Sequence, residues 1–302
     1  MNVKKKICVL LFIIFIAAPA CGMKKMATRV MGAVATDGMI ALEGEGDVAF
    51  ARESAPALIK TLEVLRHGDR GDRRSLVLLS RSYGQYTFGF LEEDLLRFRS
   101  DPKKLAETKT RADEFYRRGR EFGIAALAEN GAMKNGFKAP FQDFKKAVDQ
   151  LGKEYVPALF WSAFNWASYL NLHLDDPASV VDMPRIEAMI DRVIALDPGY
   201  YFGSANAMKG VIMASKPKML GGDPAASRRS FDAAMTAAPG YLMTKVLMAQ
   251  FLARQSQDRT LFQHSLNEVL KADAASLPAG RLANELAKRR AALLIPMEKE
   301  LF

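Results

Sequence analysis

The sequence predicts an all-α protein built from short antiparallel helical hairpins. Three observations carry this. Ala, Leu, Met, Arg, Lys and Glu dominate, and the period-2 alternation of strands is scarce. The helical runs are interrupted only by clusters of Gly, Pro and Asp: "HGDRGD", "SDP", "NGAMKNGFKAP", "DDP", "DPGY", "APGY" and "SLP". The connections are short, which favours antiparallel neighbours. With 302 residues, 49% of them hydrophobic, the chain has enough apolar surface for a large core.

The chain opens on "MNVKKKICVLLFIIFIAAPA", with Lys4, Lys5 and Lys6 ahead of an apolar run from Ile7 to Ala18. This reads as a secretory signal over residues 1–20 and is too short to span a bilayer comfortably. The two cysteines are Cys8, inside that signal, and Cys21, directly after it. No disulfide within the mature chain is then possible. The pattern resembles a bacterial lipoprotein signal. It implies lipidation at Cys21 and anchoring at the periplasmic face of a membrane, in either leaflet. The alternative is an ordinary signal with an incidental cysteine. Residues 21–45 read as a tether with a first helical segment, and 46–302 as a single helical repeat domain. The expected helices run near 25–42, 48–66, 73–98, 103–129, 141–151, 155–172, 183–196, 200–215, 224–237, 241–255, 259–272 and 279–301.

An internal repeat organises the second half. "IDRVIALDPGY" (190–200) is echoed by "FDAAMTAAPGY" (231–241) and by "LNEVLKADAAS" (266–276). These resemble the second helices of tetratricopeptide repeats, where a large apolar residue is followed by a small one and then by a Pro. Ile190, Val193 and Pro198 fit that frame. Phe231, Ala234 and Pro239 fit it better, and Leu266, Val269 and Ala274 fit it with the Pro lost. The small residue lets helices approach, and the Pro stops the helix. The fold expected is a tetratricopeptide-like helical-hairpin solenoid or bundle, which by itself fixes no function.

Several chemistries are poorly supported. The formal net charge is +9, but no dense basic block carries interleaved aromatics, so nucleic-acid binding is not expected. Three scattered histidines give no metal-ligand spacing, and no serine sits in a Gly-x-Ser-x-Gly elbow. "LHLDDP" reads as a helix end and a turn. "RHGDRGD" (66–72) resembles the signature of histidine phosphatases, yet it follows an amphipathic helix rather than a strand and lacks the final Pro. The reading preferred there is a helix C-terminus. "MLGGDP" lacks the Gly-Lys-Ser/Thr of a phosphate loop. It reads as a corner in which Asp223 caps a helix that begins at Pro224. No catalytic residue, metal or cofactor is expected.

Aromatic clusters are the remaining signal. "SYGQYTFGFLEED" spaces Tyr83, Tyr86 and Phe90 along a helix, with Gly84 and Gly89 between them. The two glycines point to close helix approach or to room for a ligand. "VPALFWSAFNWASYL" is aromatic nearly all round, with Phe160, Trp161, Phe164, Trp166 and Tyr169. Such a helix is buried or lines a cavity.

These segments, with "RADEFYRRGREFGIAAL", "KPKMLGGDPAASRRSFDAAM", "DRTLFQHSLNEVL" and "LANELAKRRAALLIPMEKELF", resemble in order the T component of tripartite ATP-independent periplasmic (TRAP) transporters. That is a family of tetratricopeptide-repeat lipoproteins. The resemblance implies a non-enzymatic periplasmic protein that docks a transporter's solute-binding protein, assembles as a homotrimer, and holds a small hydrophobic ligand. Tyr83, Tyr86, Phe90, Trp161, Trp166, Met219 and Leu220 are the ligand-lining residues expected on that basis. Two other readings stand beside it: a generic tetratricopeptide scaffold for envelope proteins, and a phosphatase built on His67.

Overall fold

The computed structural model describes residues 32–67, 71–173, 181–216 and 218–302. The signal segment and Cys21 lie outside the described residues, as do residues 68–70 of the charged turn and the "LDDP" run. The backbone of Leu220 is described, but its side chain is not.

Among the described residues the chain is helical throughout, with no strand. Helix α1 covers 32–43. It is followed by α2 (Val48–Arg66), α3 (Arg73–Tyr86), a π-helical turn (Thr87–Leu91), α4 (Glu92–Arg97) and α5 (Pro102–Ala128). Next come α6 (Phe141–Asp149), α7 (Val156–Asn171), α8 (Met183–Leu196), α9 (Tyr200–Ser215) and α10 (Pro224–Ala237). Helix α11 (Met243–Leu247) runs into a second π-helical turn (Met248–Ala253), and α12 (Arg259–Lys271), α13 (Arg281–Leu294) and α14 (Glu298–Leu301) end the chain.

Aspartates start many of these helices. Asp47, Asp72, Asp101, Asp223 and Asp258 each accept hydrogen bonds from backbone N–H groups of the first turn, which have no partner inside the helix. Asp101 and Asp223 are followed by Pro102 and Pro224 at the first helical position, where the missing N–H loses nothing. The "MLGGDP" corner is thus the cap the sequence suggests. Arg66 and His67 end α2, so a helix stands where a histidine-phosphatase signature follows a strand.

Consecutive helices pack as hairpins, and the repeat frame is their packing frame. Ile190, Val193, Phe231, Ala234, Leu266 and Val269 are all buried. The α9–α10 hairpin is tight because Gly210 faces the Phe231 ring and Ser227 Oγ donates to the Gly210 carbonyl at 2.8 Å. The three helices α3, α5 and α7 pack more closely still. A Cβ at Gly119 would lie 2.2 Å from Asn165 Oδ1, and one at Gly123 would lie 2.3 Å from Ser162 Oγ. Ser80 Oγ donates to the Gly119 carbonyl at 2.7 Å, and Asn165 Nδ2 donates to the Ser80 and Trp161 carbonyls.

The superhelix closes on itself. Helix α13 returns to α2 and α4, and one continuous apolar core joins α1–α4 to α11–α13. A polar clasp reinforces the closure. Glu92, Glu93 and Asp94 are all buried at the start of α4. Glu93 pairs with Arg289 at 2.8 Å and with Arg97, Glu92 pairs with Arg290, and Asp94 pairs with Arg52. Glu92 and Arg290 are both buried, so removing either one alone strands a buried charge and costs about 3–5 kcal/mol.

Candidate functional site

Closure of the superhelix leaves a cavity inside it. The cavity holds about 1010 Å³ of space free of protein atoms, part of it open to solvent. Helix α1 gives Met39, Leu42 and Glu43 to its wall, and α2 gives Ala55, Leu58 and Ile59. The segment Ser82–Phe90 contributes Gln85, Tyr86, Phe88, Gly89 and Phe90. Helix α7 contributes Phe160, Trp161 and Phe164, α9 contributes Tyr201, Phe202 and Met208, and α13 contributes Leu282, Ala283 and Leu286. A second, partly open chamber adjoins it, lined by Glu92, Ser168, Asn171, Val211, Ile212 and Phe251 among others. Phe88, Phe164, Met208 and Leu247 line both chambers and form the partition between them.

Local backbone irregularities shape this wall. The π-helical turn Thr87–Leu91 carries Phe88, Gly89 and Phe90, and the second π-helical turn carries Phe251. An extra residue in a helical turn re-aims the side chains that follow, and such turns recur at functional sites. Gly89 is small because Leu286 stands opposite: a Cβ there would lie 2.8 Å from Leu286 Cδ1. The start of α9 is left-handed, with φ of 45° at Tyr201, 59° at Phe202 and 70° at Gly203. Left-handed backbone costs roughly 1–2 kcal/mol at each non-glycine residue. The aromatic contacts offset this: Tyr201 meets Trp161 edge-on at 4.9 Å, and Phe202 stacks on Tyr241 at 4.9 Å.

One end of the first chamber is polar. Gln85 Nε2 donates to the Tyr201 hydroxyl at 2.7 Å and to Glu43, which also pairs with Arg81. Trp161 Nε1 donates to the Tyr200 hydroxyl at 3.1 Å. Burial pushes the Tyr200 hydroxyl up to about 12, and it raises Tyr201 and Tyr241 further, so all three stay protonated and neutral at ordinary pH. Everything else on the first chamber's wall is overwhelmingly apolar, which suits a hydrophobic ligand with few polar atoms.

Of the residues expected to line a ligand site, Tyr86, Phe90 and Trp161 do so. Tyr83 is buried but faces α5, between Phe115 and Phe122, and its hydroxyl donates to Glu63. Trp166 lies on the far side of α7, against Phe137 and beneath the Arg120 guanidinium. Met219 corrects the expectation for the "PKMLGGD" corner. It is 90% exposed, because the short helical turn Lys218–Leu220 projects from the end of the α9–α10 hairpin rather than folding inward. The Leu220 side chain lies outside what is described. Phe88, Phe160, Phe164, Tyr201 and Phe202 line the chamber beside the expected residues. The Tyr-Tyr-Phe-Gly run after Pro198-Gly199 is the sequence signal for the last two.

Fold and cavity together define a class: an all-α protein of helical hairpins around an apolar chamber. The chain belongs to the TRAP transporter T-component family, whose model matches residues 44–302. No curated protein matches it. Membership associates the chain with TRAP transporters and with a periplasmic or membrane-associated setting. No helix among the described residues is long and apolar enough to cross a membrane. Helix α1 lies ahead of the matched residues, yet Met39, Leu42 and Glu43 complete the cavity wall.

Proposed function

We propose that this chain is a non-enzymatic, lipid-anchored component of a TRAP transport system, which binds a small hydrophobic ligand in its internal cavity and docks the system's solute-binding protein. The observation that carries the reading is the cavity itself. It is apolar and walled by the aromatic segments on which the family resemblance rests. The family match supports the docking partner and the homotrimer, and the signal-like residues before Cys21 support the anchor.

Native mass spectrometry of the purified chain tests the reading in one measurement. The expected result is a trimer carrying an apolar small molecule that organic extraction removes. A chain that never carries such a molecule, and takes up no apolar probe after extraction, sinks the ligand-binding half. Folded chain used as bait in an envelope extract is expected to recover a solute-binding protein. A different set of envelope proteins would favour the generic scaffold.

A further inference from the structure

The first chamber comes within one side chain of the surface at its polar end. Outside lies an open polar groove, lined by Thr36 and Asp37 of α1, Arg74, Val77 and Arg81 of α3, and Tyr200. Inside stand Glu43, Gln85, Trp161 and Tyr201 of the chamber wall. Two contacts span the wall. Arg81, from the groove, pairs with Glu43 of the chamber. The Tyr200 hydroxyl, from the groove, accepts from Trp161 Nε1 of the chamber at 3.1 Å. The Arg81 guanidinium also lies 5.3 Å from the centre of the Tyr201 ring, on the chamber wall.

Arg81 is the long, mobile element of this wall. Its side chain is 19% exposed, and it faces the groove. Its Nε has no hydrogen-bond partner among the described residues, so the closed arrangement leaves one N–H group unmet. The groove's own carboxylates, Asp37 and Glu154, offer the guanidinium another partner outside. The wall opposite Arg81 is also held lightly. Of the apolar side chains in α1 only Ala35 and Met39 are buried, against five in α2, and Val34 and Ile40 are exposed. A helix with few buried apolar contacts gives way at low cost. Glu43 and all of α1 precede the residues that the family model matches, so the latch belongs to this chain and not to that match.

We propose that the polar groove is the port through which apolar ligands reach the first chamber, and that Arg81 is its gate, latched by Glu43. In the closed state the guanidinium lies across the opening between groove and chamber. In the open state Arg81 exchanges Glu43 for the carboxylates of the groove, α1 yields, and the ligand passes between α1 and α3. The proposal rests on the ligand-binding reading above and adds the route by which the chamber is filled.

The test is the rate at which brominated dodecanol quenches Trp161 in the ligand-extracted full chain carrying Trp166→Phe, followed by stopped flow. Arg81→Met removes the latch, and Glu43 keeps its hydrogen bond from Gln85. Association is expected to become about tenfold faster, the scale of one charge-assisted contact taken out of the barrier. Val77→Phe puts a ring into the groove one helical turn before Arg81 and is expected to slow association by a similar factor. Val211→Phe puts the same ring at the second chamber. Association that Val77→Phe leaves as fast as before overturns the proposal, and slowing by Val211→Phe would then put the port at the second chamber. An Arg81→Met chain that binds more weakly without associating faster also overturns it, because a residue that only shapes the wall acts on affinity. Should Arg81→Met fail to fold, Val77→Phe decides alone. Saturable quenching with unmoved rates sinks this inference and leaves the cavity reading standing. No saturable quenching in the parent chain sinks both.

Discussion

The two faces of α7 make an instructive contrast. Both are aromatic and both are buried. One face presents Phe160, Trp161 and Phe164 to an open chamber. The other presents Ser162, Asn165 and Trp166 to α3, α5 and Phe137, where Gly119 and Gly123 leave no room even for a methyl group. Each carries a buried tryptophan, so a buried aromatic does not separate these faces. What separates them is which neighbour arrives: glycine-bearing helices on one side, and on the other the left-handed start of α9 with α1 and α13 beyond it. A buried aromatic helix thus says nothing of a cavity until its partners are known.

The contrast predicts that added volume is tolerated on one side and not on the other. Gly119→Val should have the largest effect, a loss of about 3 kcal/mol of stability by overpacking. The atom in its way, Asn165 Oδ1, belongs to a side chain tied to the Ser80 and Trp161 carbonyls and so cannot give. Chemical denaturation reads this directly; a stability unchanged from wild type would mean that the α5–α7 contact is looser than described.

Alkaline pH should act next, and on both faces. Tyr83 on the packed side and Tyr200 beside the cavity are pushed up to about 12, mainly by burial, and Tyr116, Tyr201 and Tyr241 go further. Each is raised above its ordinary value of 10.0, so the unfolded chain releases these protons at lower pH than the native one. Their contribution is therefore whole below pH 10 and is lost as pH rises through 10 to 12 and beyond. Urea midpoints should agree between pH 8 and 9 and drop at pH 11; a midpoint that holds at pH 11 contradicts this.

Ala283→Leu should change stability least, by under about 1 kcal/mol, because its new carbons enter the open chamber. It should nonetheless abolish uptake of an apolar probe. Retained uptake would move the ligand site away from the α13 wall.

Helix positions were largely legible. The bounds of α2, α8, α9, α10 and the start of α3 fall where Gly, Pro and Asp punctuation places them, because capping and chain breaking are local. The site was legible only in part, for the reason α7 illustrates. Tyr86 and Tyr83 are three residues apart on one helix, yet only Tyr86 reaches the chamber. The π-helical turns and the left-handed Tyr201 and Phe202 depend on tertiary contacts that outweigh local preference. The burial of Glu92 and Glu93 becomes explicable only through Arg289 and Arg290, which lie far away in the sequence.

The central claim is that the chamber on one face of α7 holds the ligand. The chain's two tryptophans allow a direct test, since Trp161 lines that chamber and Trp166 lies on the opposite face. A brominated dodecanol, whose heavy atom quenches indole emission on contact, is titrated into the Trp166→Phe and Trp161→Phe variants. The account predicts saturable quenching when Trp161 remains and none when only Trp166 remains. Equal quenching of both, or quenching of Trp166 alone, would contradict it.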